Sequence, residues 1–367
     1  MELSKLQFFE INSLDELSEI RDNWKKLFGK LSNITPFQSW EWNWSFAEDY
    51  YTSRNLKILV LQLDNEILGI APFILKYYLF KSIKVLEFIG SKESDYLNIL
   101  CIEEYKQIFM EKISNWLFNN REWTEISLSG LSLDDAEQFK SLNNSFQITE
   151  LDTCPYLTIN GPFSNYIESL PSGLRKKTKR IINKLDKSNS LSVKYYTDKI
   201  EIMNSLDIFF ELHQKRFTSK GQRGKFYNES LKKRFRAITD RVASNNLVLL
   251  IIIYIDNKPV YIDYLFSYQK ILYGYLGGMD PDYMKFSLGN ISKYFLIKKS
   301  YIEGIKIIDF MRGNEPYKAN WTNNEKKIYV LSFSKNKIIS YFRKGIDAAK
   351  KRLSKNELVM KIYSMMA

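Results

Sequence analysis

Apolar runs separated by turn residues recur along this chain in one order. The C-terminal half contains three β-rich runs, at 247–255, 260–267 and 272–277. Turn residues between the runs predict a meander of short antiparallel strands. A helix is then predicted from Ser287 to Glu303, ending at Gly304, and Ile305–Phe310 predicts a closing strand.

The N-terminal half repeats this order. It contains extended runs at 56–63, 67–75, 83–89 and 96–101, a helical segment at 105–118 and a closing strand at 125–128. The turns Asp64-Asn65 and Asp256-Asn257 occupy equivalent places in the two halves. The repeat predicts an α/β protein (α+β, with mixed sheets) built from two copies of one unit.

Pro, Gly and Ser cluster at Pro155–Pro171, which places a domain boundary there. We therefore expect an N-terminal domain at 1–155 and a second domain at 156–335 that carries a basic helix at 174–187. A basic C-terminal helix at 336–367 is expected to follow.

Composition narrows the class of protein. At 367 residues, with 45% apolar and 15% aromatic residues, the chain is long and apolar enough for two globular cores. One histidine and two cysteines cannot assemble a Cys/His metal site, so no metal is expected. The N-terminal segment Met1–Ile20 lacks the pattern of a signal peptide, and the longest apolar run, 247–253, is too short to span a bilayer. A cytoplasmic location is expected, with contact at the inner face of the membrane as a second option.

The net charge of +12 is concentrated in two segments. Arg175–Lys187 holds seven basic residues and one acid, and Lys335–Lys361 holds nine basic residues and two acids. The first predicts an amphipathic helix, which is either a solvated helix packed on the sheet or a clamp for an anionic partner. The C-terminal helix would either pack on its domain or lie on an anionic membrane surface. No DNA partner is expected.

Four residues, Ser287, Leu288, Gly289 and Asn290, open the predicted helix of the second domain. Free backbone N–H groups at a helix N-terminus form an anion site, and Gly289 would let the backbone approach a phosphate. An ordinary capped helix is the alternative.

Three further polar residues, His213, Asp263 and Tyr275, are candidates for a functional site. His213, the only histidine, would share a helix face with Arg216 and could serve as a base or as a structural residue. Asp263 interrupts an apolar strand, and Tyr275 lies on the next strand. An acid in so apolar a strand faces either solvent or a ligand site.

The segment after Ile305 brings many charged and aromatic groups to one end of a predicted strand. Its candidate residues are Asp309, Arg312, Glu315, Tyr317, Lys318 and Trp321. Ligands of α/β proteins bind at such strand ends. A strand-end cap at Asp309 and a structural Arg312–Glu315 ion pair are the alternatives.

Four motifs occur in order between Phe209 and Trp321: Leu-His-x-x-Arg, Gly-Gly-x-Asp-Pro, Ser-Leu-Gly and Asp-Phe-x-Arg-Gly-x-Glu-x-Tyr-Lys-x-x-Trp. Together they resemble the CelD-like acyltransferases of the GNAT superfamily, which are relatives of the FemAB transferases. The N-terminal resemblance is slighter and rests on 36–40 and 70–73. Ser-Leu-Gly replaces the Arg/Gln-x-x-Gly-x-Gly/Ala signature with which GNAT proteins hold coenzyme A.

The resemblance implies a tandem GNAT-like fold and an enzyme that transfers an acyl group, typically from acetyl-coenzyme A, to a sugar or surface-polysaccharide precursor. Residues 287–290 would bind the cofactor. The catalytic candidates are His213, Glu315, Asp309 and Tyr275. The substrate-binding candidates are Arg216, Asp263, Arg312, Tyr317, Lys318 and Trp321. Two rivals remain: a FemAB-type transferase that uses aminoacyl-tRNA, and a non-catalytic binding protein on a degenerate GNAT fold.

Overall fold

The computed structural model describes residues 5–50, 55–78, 83–120, 122–188, 190–313, 315 and 317–336. The C-terminal helix expected at 336–367 therefore lies, beyond residue 336, outside the described residues. The chain forms two compact units. The first runs to Thr153 and takes up the chain again at Lys327, and the second comprises Cys154–Lys326.

The first unit alternates helices with strands. Its strands are β1 (Leu6–Ile11), β2 (Leu56–Leu63), β3 (Glu66–Tyr78), β4 (Ile83–Phe88), β5 (Leu100–Cys101), β6 (Glu125–Leu131) and, after the second unit, β13 (Glu325–Ser334). Its helices are α1 (Leu14–Glu19), α2 (Arg21–Lys30), α3 (Trp40–Tyr50), α4 (Glu103–Asn119) and α5 (Leu133–Leu142), with a 3-10 turn at Pro36–Gln38. The strand β7 (Gln147–Thr158) leads into the second unit.

The second unit places five helices before its meander. Its helices are α6 (Phe163–Ser169), α7 (Ser172–Lys187), α8 (Lys199–Asn204), α9 (Leu206–Thr218), α10 (Glu229–Ala243) and α11 (Leu288–Glu303), with 3-10 turns at Pro281–Phe286 and Lys318–Asn320. Its strands are β8 (Leu191–Tyr196), β9 (Val248–Ile255), β10 (Lys258–Tyr268), β11 (Ile271–Met279) and β12 (Ile307–Asp309).

Both units have the same strand order. The first has β1-β2-β3-β4-β6-β13 and the second has β8-β9-β10-β11-β12-β7. In each, only the fourth and fifth strands are parallel, and a helix (α4 or α11) connects them. The predicted duplication of one mixed α/β unit is confirmed.

Local turn chemistry explains why the hairpins form where the sequence predicts them. Asp64 and Asn65 have φ of 43° and 68°, and Asp256 and Asn257 have φ of 52° and 61°. Two consecutive left-handed residues make the tight turn whose twist matches the flanking strands, and Asn and Asp tolerate that conformation.

One core of the second unit lies on the strand face that α7 and α11 cover. Ile253 and Ile255 of β9 pack there against Ile181 and Leu185 of α7. The apolar stripe predicted for the basic helix is therefore buried, while its cations lie on the other faces. Because helices cover β9 on both sides, its sequence is apolar throughout.

Two predicted strands are shorter in the structure. The run 96–101 is paired only at Leu100–Cys101, and the amide of Leu97 donates instead to the carbonyl of Gly130 in β6. The run 305–310 is paired only at Ile307–Asp309, because the amide of Ile305 still bonds back to Ser300 at the end of α11. The first strand is thus shortened by a bond to β6, and the second by the bond that ends α11.

Candidate functional site

The parallel strands β11 and β12 separate at the C-terminal edge of the second sheet. They pair only from Ile271–Ile307 to Tyr273–Asp309. Beyond these pairs β11 continues to Met279, whereas β12 ends at Asp309. Since α11 connects the two strands, its N-terminus lies at this same edge. Backbone groups of β11 and the start of a helix thus meet where α/β proteins bind ligands.

A β-bulge modifies β11 at this edge. Tyr264 pairs with Leu276 and Leu265 with Gly274, so Tyr275 is the extra residue between them. The Tyr275 hydroxyl accepts a hydrogen bond from Lys225 Nζ at 3.3 Å. Bulges redirect the side chains of a strand, and this one presents a tyrosine with an ammonium beside its hydroxyl.

The adjacent glycines Gly277 and Gly278 of β11 make room for different neighbouring groups. A Cβ on Gly278 would lie 2.4 Å from the amide nitrogen of His213, so this glycine permits close packing of α9 on the strand. A Cβ on Gly277 would lie 2.8 Å from Asp263 Oδ1 and 3.4 Å from an Arg216 nitrogen. Gly277 therefore leaves space for these two charged groups.

Asp263 of β10 is held by two hydroxyls. Tyr261 donates to its Oδ1 at 2.9 Å, and Ser292 of α11 donates to its Oδ2 at 2.6 Å. Both donors are buried, while Asp263 is only half-buried. Arg216 of α9 donates to the Gly277 carbonyl at 3.3 Å, and its Nη1 lies, like Asp263 Oδ1, close to the Cβ position of Gly277. The result is an oriented acid beside a guanidinium.

Lys293 is a residue that our sequence analysis did not identify. It is 9% exposed, and its ammonium lies 5.1 Å from the ring centre of Tyr317 and 5.8 Å from that of Phe310. Burial lowers its pKa; Asp263 opposes that shift. Spacing could have revealed it, because Lys293 lies four residues after Gly289 and so on the same helix face. Arg216, Tyr261, Asp263, Ser292 and Lys293 are called the Asp263 cluster below.

The first turn of α11 faces this cluster. Ser287 has φ of 50°, and its carbonyl accepts from the amides of Asn290 and Ile291. The amides of Leu288 and Gly289 precede those bonds, as expected for the free donors of a helix start. A Cβ on Gly289 would meet the Tyr261 hydroxyl at an ordinary 3.7 Å. The glycine thus leaves room beside Tyr261 rather than relieving a clash.

Asp280 fixes the approach to α11. Its carboxylate accepts from Lys258 at 3.1 Å, from Lys215 at 3.3 Å and from the amide of Asp282 at 3.1 Å. The 3-10 turn that precedes α11 is therefore anchored to α9 and β10. This explains the Asp-Pro pair of the Gly-Gly-x-Asp-Pro motif as a positioning device for the helix start.

Asp309 is a capping residue in the structure. It is fully buried; its Oδ1 accepts from the amide of Met311 at 2.8 Å, and its Oδ2 pairs with Lys326 at 2.8 Å. Met311 has φ of 61°, so the carboxylate stabilises a left-handed residue where the chain leaves β12. These contacts favour the capping alternative over a catalytic role.

Lys318 closes the loop that follows. Its ammonium donates to the carbonyls of Met311, Arg312 and Gly313 at 3.1, 3.0 and 3.1 Å and pairs with Glu315 at 2.8 Å. The residue is 4% exposed. Lys318 therefore holds the loop in place, and half-buried Arg312 lies within it.

Glu315 reaches the surface of this loop, and 53% of its side chain is exposed. Burial alone would raise its pKa, but the hydrogen bond and charge of Lys318 bring the pKa below the ordinary value. A Cβ on Gly313, whose φ is 114°, would lie 2.7 Å from Glu315 Oε2. Tyr317, 40% exposed, lies on the same loop. The structure thus brings Arg216, Asp263, Glu315, Tyr317 and Lys318 into one charged neighbourhood.

His213 and Trp321 lie in cores instead. His213 is 1% exposed and stacks on Phe217 at 4.5 Å, with Phe226 at 4.8 Å. Burial, with Arg216 and Lys225 nearby, lowers its pKa to about 4. Trp321 is also 1% exposed and packs in the apolar cluster under α6. This burial favours a structural role for His213 over that of a base, and for Trp321 over that of a substrate contact.

Metal binding and membrane spanning can be examined for the residues that the structure describes. Within 5–50, 55–78 and the later described ranges, no three His, Cys, Asp or Glu side chains are grouped to bind a metal. In the same part of the chain, every helix is too short or too polar to cross a bilayer.

Comparison with protein families identifies residues 172–319 as matching the acetyltransferase (GNAT) domain. That range contains the meander, α11 and the Lys318 loop. Comparison with curated proteins finds no significant match.

Solved structures share the fold over nearly the whole chain. FemX superimposes with a TM-score of 0.66 at 11% identity, covering 92% of this chain and 99% of FemX. L-PGS from Bacillus licheniformis gives 0.57 at 8% identity, covering 91% and 97%. The C-terminal domain of a putative lysylphosphatidylglycerol synthetase from Agrobacterium fabrum gives 0.55 at 8% identity, covering 92% and 95%. The chain thus has a tandem GNAT-like fold whose residues 172–319 match an acetyltransferase domain, and these findings support an acyltransferase.

Proposed function

We propose that this protein transfers an acyl group from an acyl-coenzyme A, with acetyl-coenzyme A as the simplest donor, to an amino or hydroxyl group of a sugar or cell-envelope precursor. The observation that supports this proposal most strongly is the separation of β11 from β12 beside the N-terminus of α11. It lies inside the segment that matches the GNAT domain. The resemblance to CelD-like proteins and the name of the lysylphosphatidylglycerol synthetase support an acceptor from the cell envelope.

In this proposal the donor lies along β11 and against the first turn of α11. The amides of Leu288 and Gly289, within the predicted segment 287–290, would hold the pyrophosphate, since a helix start combines free N–H groups with a positive dipole end. Backbone N–H groups of β11 beyond Tyr273 would polarise the thioester carbonyl. Gly289 leaves open space beside the Tyr261 hydroxyl at this position.

The acceptor would bind beside the Asp263 cluster. Its nucleophilic oxygen or nitrogen attacks the carbonyl carbon, and its proton passes to Glu315. Glu315 suits this role better than His213, because it is ionised at neutral pH and reaches solvent. The C–S bond then breaks, and the thiolate takes a proton from Tyr275, whose hydroxyl already has Lys225 beside it.

Release of the coenzyme A thiol tests the reaction. Purified protein is incubated with acetyl-coenzyme A and a panel of amino- and hydroxyl-bearing envelope sugars, and free thiol is measured. We expect release that depends on an acceptor and falls about 100-fold or more in Glu315→Gln. Arg312→Ala should also lower activity without unfolding the protein. Full activity in both variants would remove the site assignment.

A second candidate, transfer from aminoacyl-tRNA, is favoured by one surface. A cavity of about 760 Å³ follows α7. Its lining is mainly basic: Lys176, Lys179, Arg180, Asn183, Lys184, Lys187 and Ser188. Such a surface binds nucleic-acid phosphates in a salt-sensitive way. Tight tRNA binding that neutralisation of residues 175–180 abolishes, with no affinity for acetyl-coenzyme A, would favour this candidate.

A further inference from the structure

Two buried lysines lie near Asp263, and only one of them is paired. Lys318 satisfies its ammonium with three carbonyls and Glu315. Among the described residues, Lys293 has neither a hydrogen bond nor a carboxylate within 4 Å, and its ammonium contacts the faces of Tyr317 and Phe310. A cation buried to this extent without an anion is destabilising, and aromatic faces offset only part of that.

The nearby carboxylates have other partners. Glu315 pairs with Lys318, so these two charges cancel. Asp263 receives both of its hydrogen bonds from the hydroxyls of Tyr261 and Ser292. Arg216 bonds the Gly277 carbonyl and, in the part of the chain that is described, has no ion pair. The Asp263 cluster therefore contains two cations, Arg216 and Lys293, and one acid.

The Asp263 cluster thus has a net charge of +1, which an anion bound from outside the chain would neutralise. Burial removes Lys293 from water, and a ligand carboxylate or phosphate would supply the partner that the protein does not. Tyr317, exposed on one side and facing the ammonium on the other, would contact the sugar ring carrying that group. Arg216, whose charge lies close enough to Lys293 to help lower the pKa of that ammonium, adds a second donor.

We infer that Lys293 and Arg216 form an anion subsite of the acceptor, and that the acceptor is a sugar unit bearing a carboxylate or a phosphate. The inference rests on the proposed transfer to a sugar-class acceptor and narrows its substrate. Lys293 acts in it as a specificity-determining residue, while Glu315 and Tyr275 keep the proton transfers.

Matched sugars test the subsite without knowledge of the natural acceptor. Glucose, glucuronate and glucose 6-phosphate share one ring and differ in the charged group. Binding to the full chain is measured by saturation-transfer NMR and by the shift in melting temperature. We expect glucuronate, glucose 6-phosphate or both to bind at least about tenfold more tightly than glucose. A preference between the two anionic sugars would identify the group that the acceptor carries.

Three variants connect the preference to Lys293. Lys293→Met should abolish it, Lys293→Arg should retain it, and Lys285→Met, at an exposed lysine on the turn before α11, should leave it unchanged. Equal binding of all three sugars to wild type, or a preference that survives Lys293→Met, would overturn the inference. The first outcome requires no variant to fold.

A separate readout distinguishes this subsite from the proposed donor site. Lys293→Met should still bind acetyl-coenzyme A, whereas Gly289→Trp should not. If folded wild type does not bind acetyl-coenzyme A while the sugar preference depends on Lys293, the subsite stands and the donor assignment fails.

Discussion

At the scale of single residues, the surroundings decide what each charged group can do. Lys318 and Lys293 are of one type and similarly buried, yet one holds a loop through four contacts and the other contacts only rings. The sequence placed Lys318 among substrate-binding candidates and left out Lys293. Residue type and motif cannot show which ammonium the fold satisfies, because the partners are carbonyls of an irregular loop.

The two lysines should therefore differ in their effect on stability. Lys318→Met leaves three carbonyls and Glu315 without their donor, and we expect it to lower the free energy of unfolding by roughly 2–4 kcal/mol. Lys293→Met removes a buried unpaired charge and should be neutral or stabilising. Urea denaturation of both variants checks this. A large loss of stability in Lys293→Met alone would contradict the assignment of the contacts.

His213 was attractive in the sequence because it is the only histidine. Its aromatic surroundings, which come from α9 and from residues after it, could not be read from spacing. The lowered pKa of about 4 has a consequence for stability. The unfolded chain binds a proton near pH 6.5, whereas the folded chain does so only near pH 4, so stability is complete above the first value and falls between the two.

We accordingly expect the histidine to contribute a loss of roughly 3 kcal/mol in stability as the pH falls from about 6.5 to about 4. His213→Phe should reduce this slope. Because there is one histidine, its imidazole signal in NMR reports the pKa directly. Titration near pH 6.5 or above would contradict the burial and restore His213 as a candidate base.

At the scale of elements, local sequence patterns predicted much and the irregular segments little. The meander and α11 with its Gly304 cap are confirmed, since apolar runs and turn residues encode them locally. The loop after β12 is different, because Asp309 caps Met311 and Lys318 closes the chain through backbone carbonyls. Such bonds depend on left-handed residues that no periodicity signals.

The two glycines of β11 offer a prediction at this scale. Gly278→Ala would force a Cβ into the backbone of α9, and we expect a loss of roughly 1–3 kcal/mol in stability. Gly277→Ala would displace Asp263 and Arg216 instead, so it should lower activity more than stability. Thermal denaturation and the thiol-release assay compare the variants. Equal loss of stability in both, with unchanged activity in Gly277→Ala, would contradict the separate roles.

At the scale of the whole molecule, the internal repeat was the strongest information in the sequence. The same strand order in both units confirms it, and FemX covers 92% of the chain with that fold. The sequence also showed where the positive charge is concentrated. The apolar stripe of α7 is buried, as the spacing of its apolar residues predicted. The fold alone does not specify which anion binds the exposed cations of α7. Binding of the acyl donor is therefore measured directly.

Titration calorimetry with acetyl-coenzyme A tests the central claim most directly, using wild type, Gly289→Ala and Gly289→Trp. The Cβ of alanine has space at 3.7 Å from the nearest atom, so Gly289→Ala should bind like wild type. The indole of Gly289→Trp should fill the phosphate position and abolish binding in a protein that remains folded. Absence of binding by folded wild type, or equal binding by Gly289→Trp, would contradict a donor site at the start of α11.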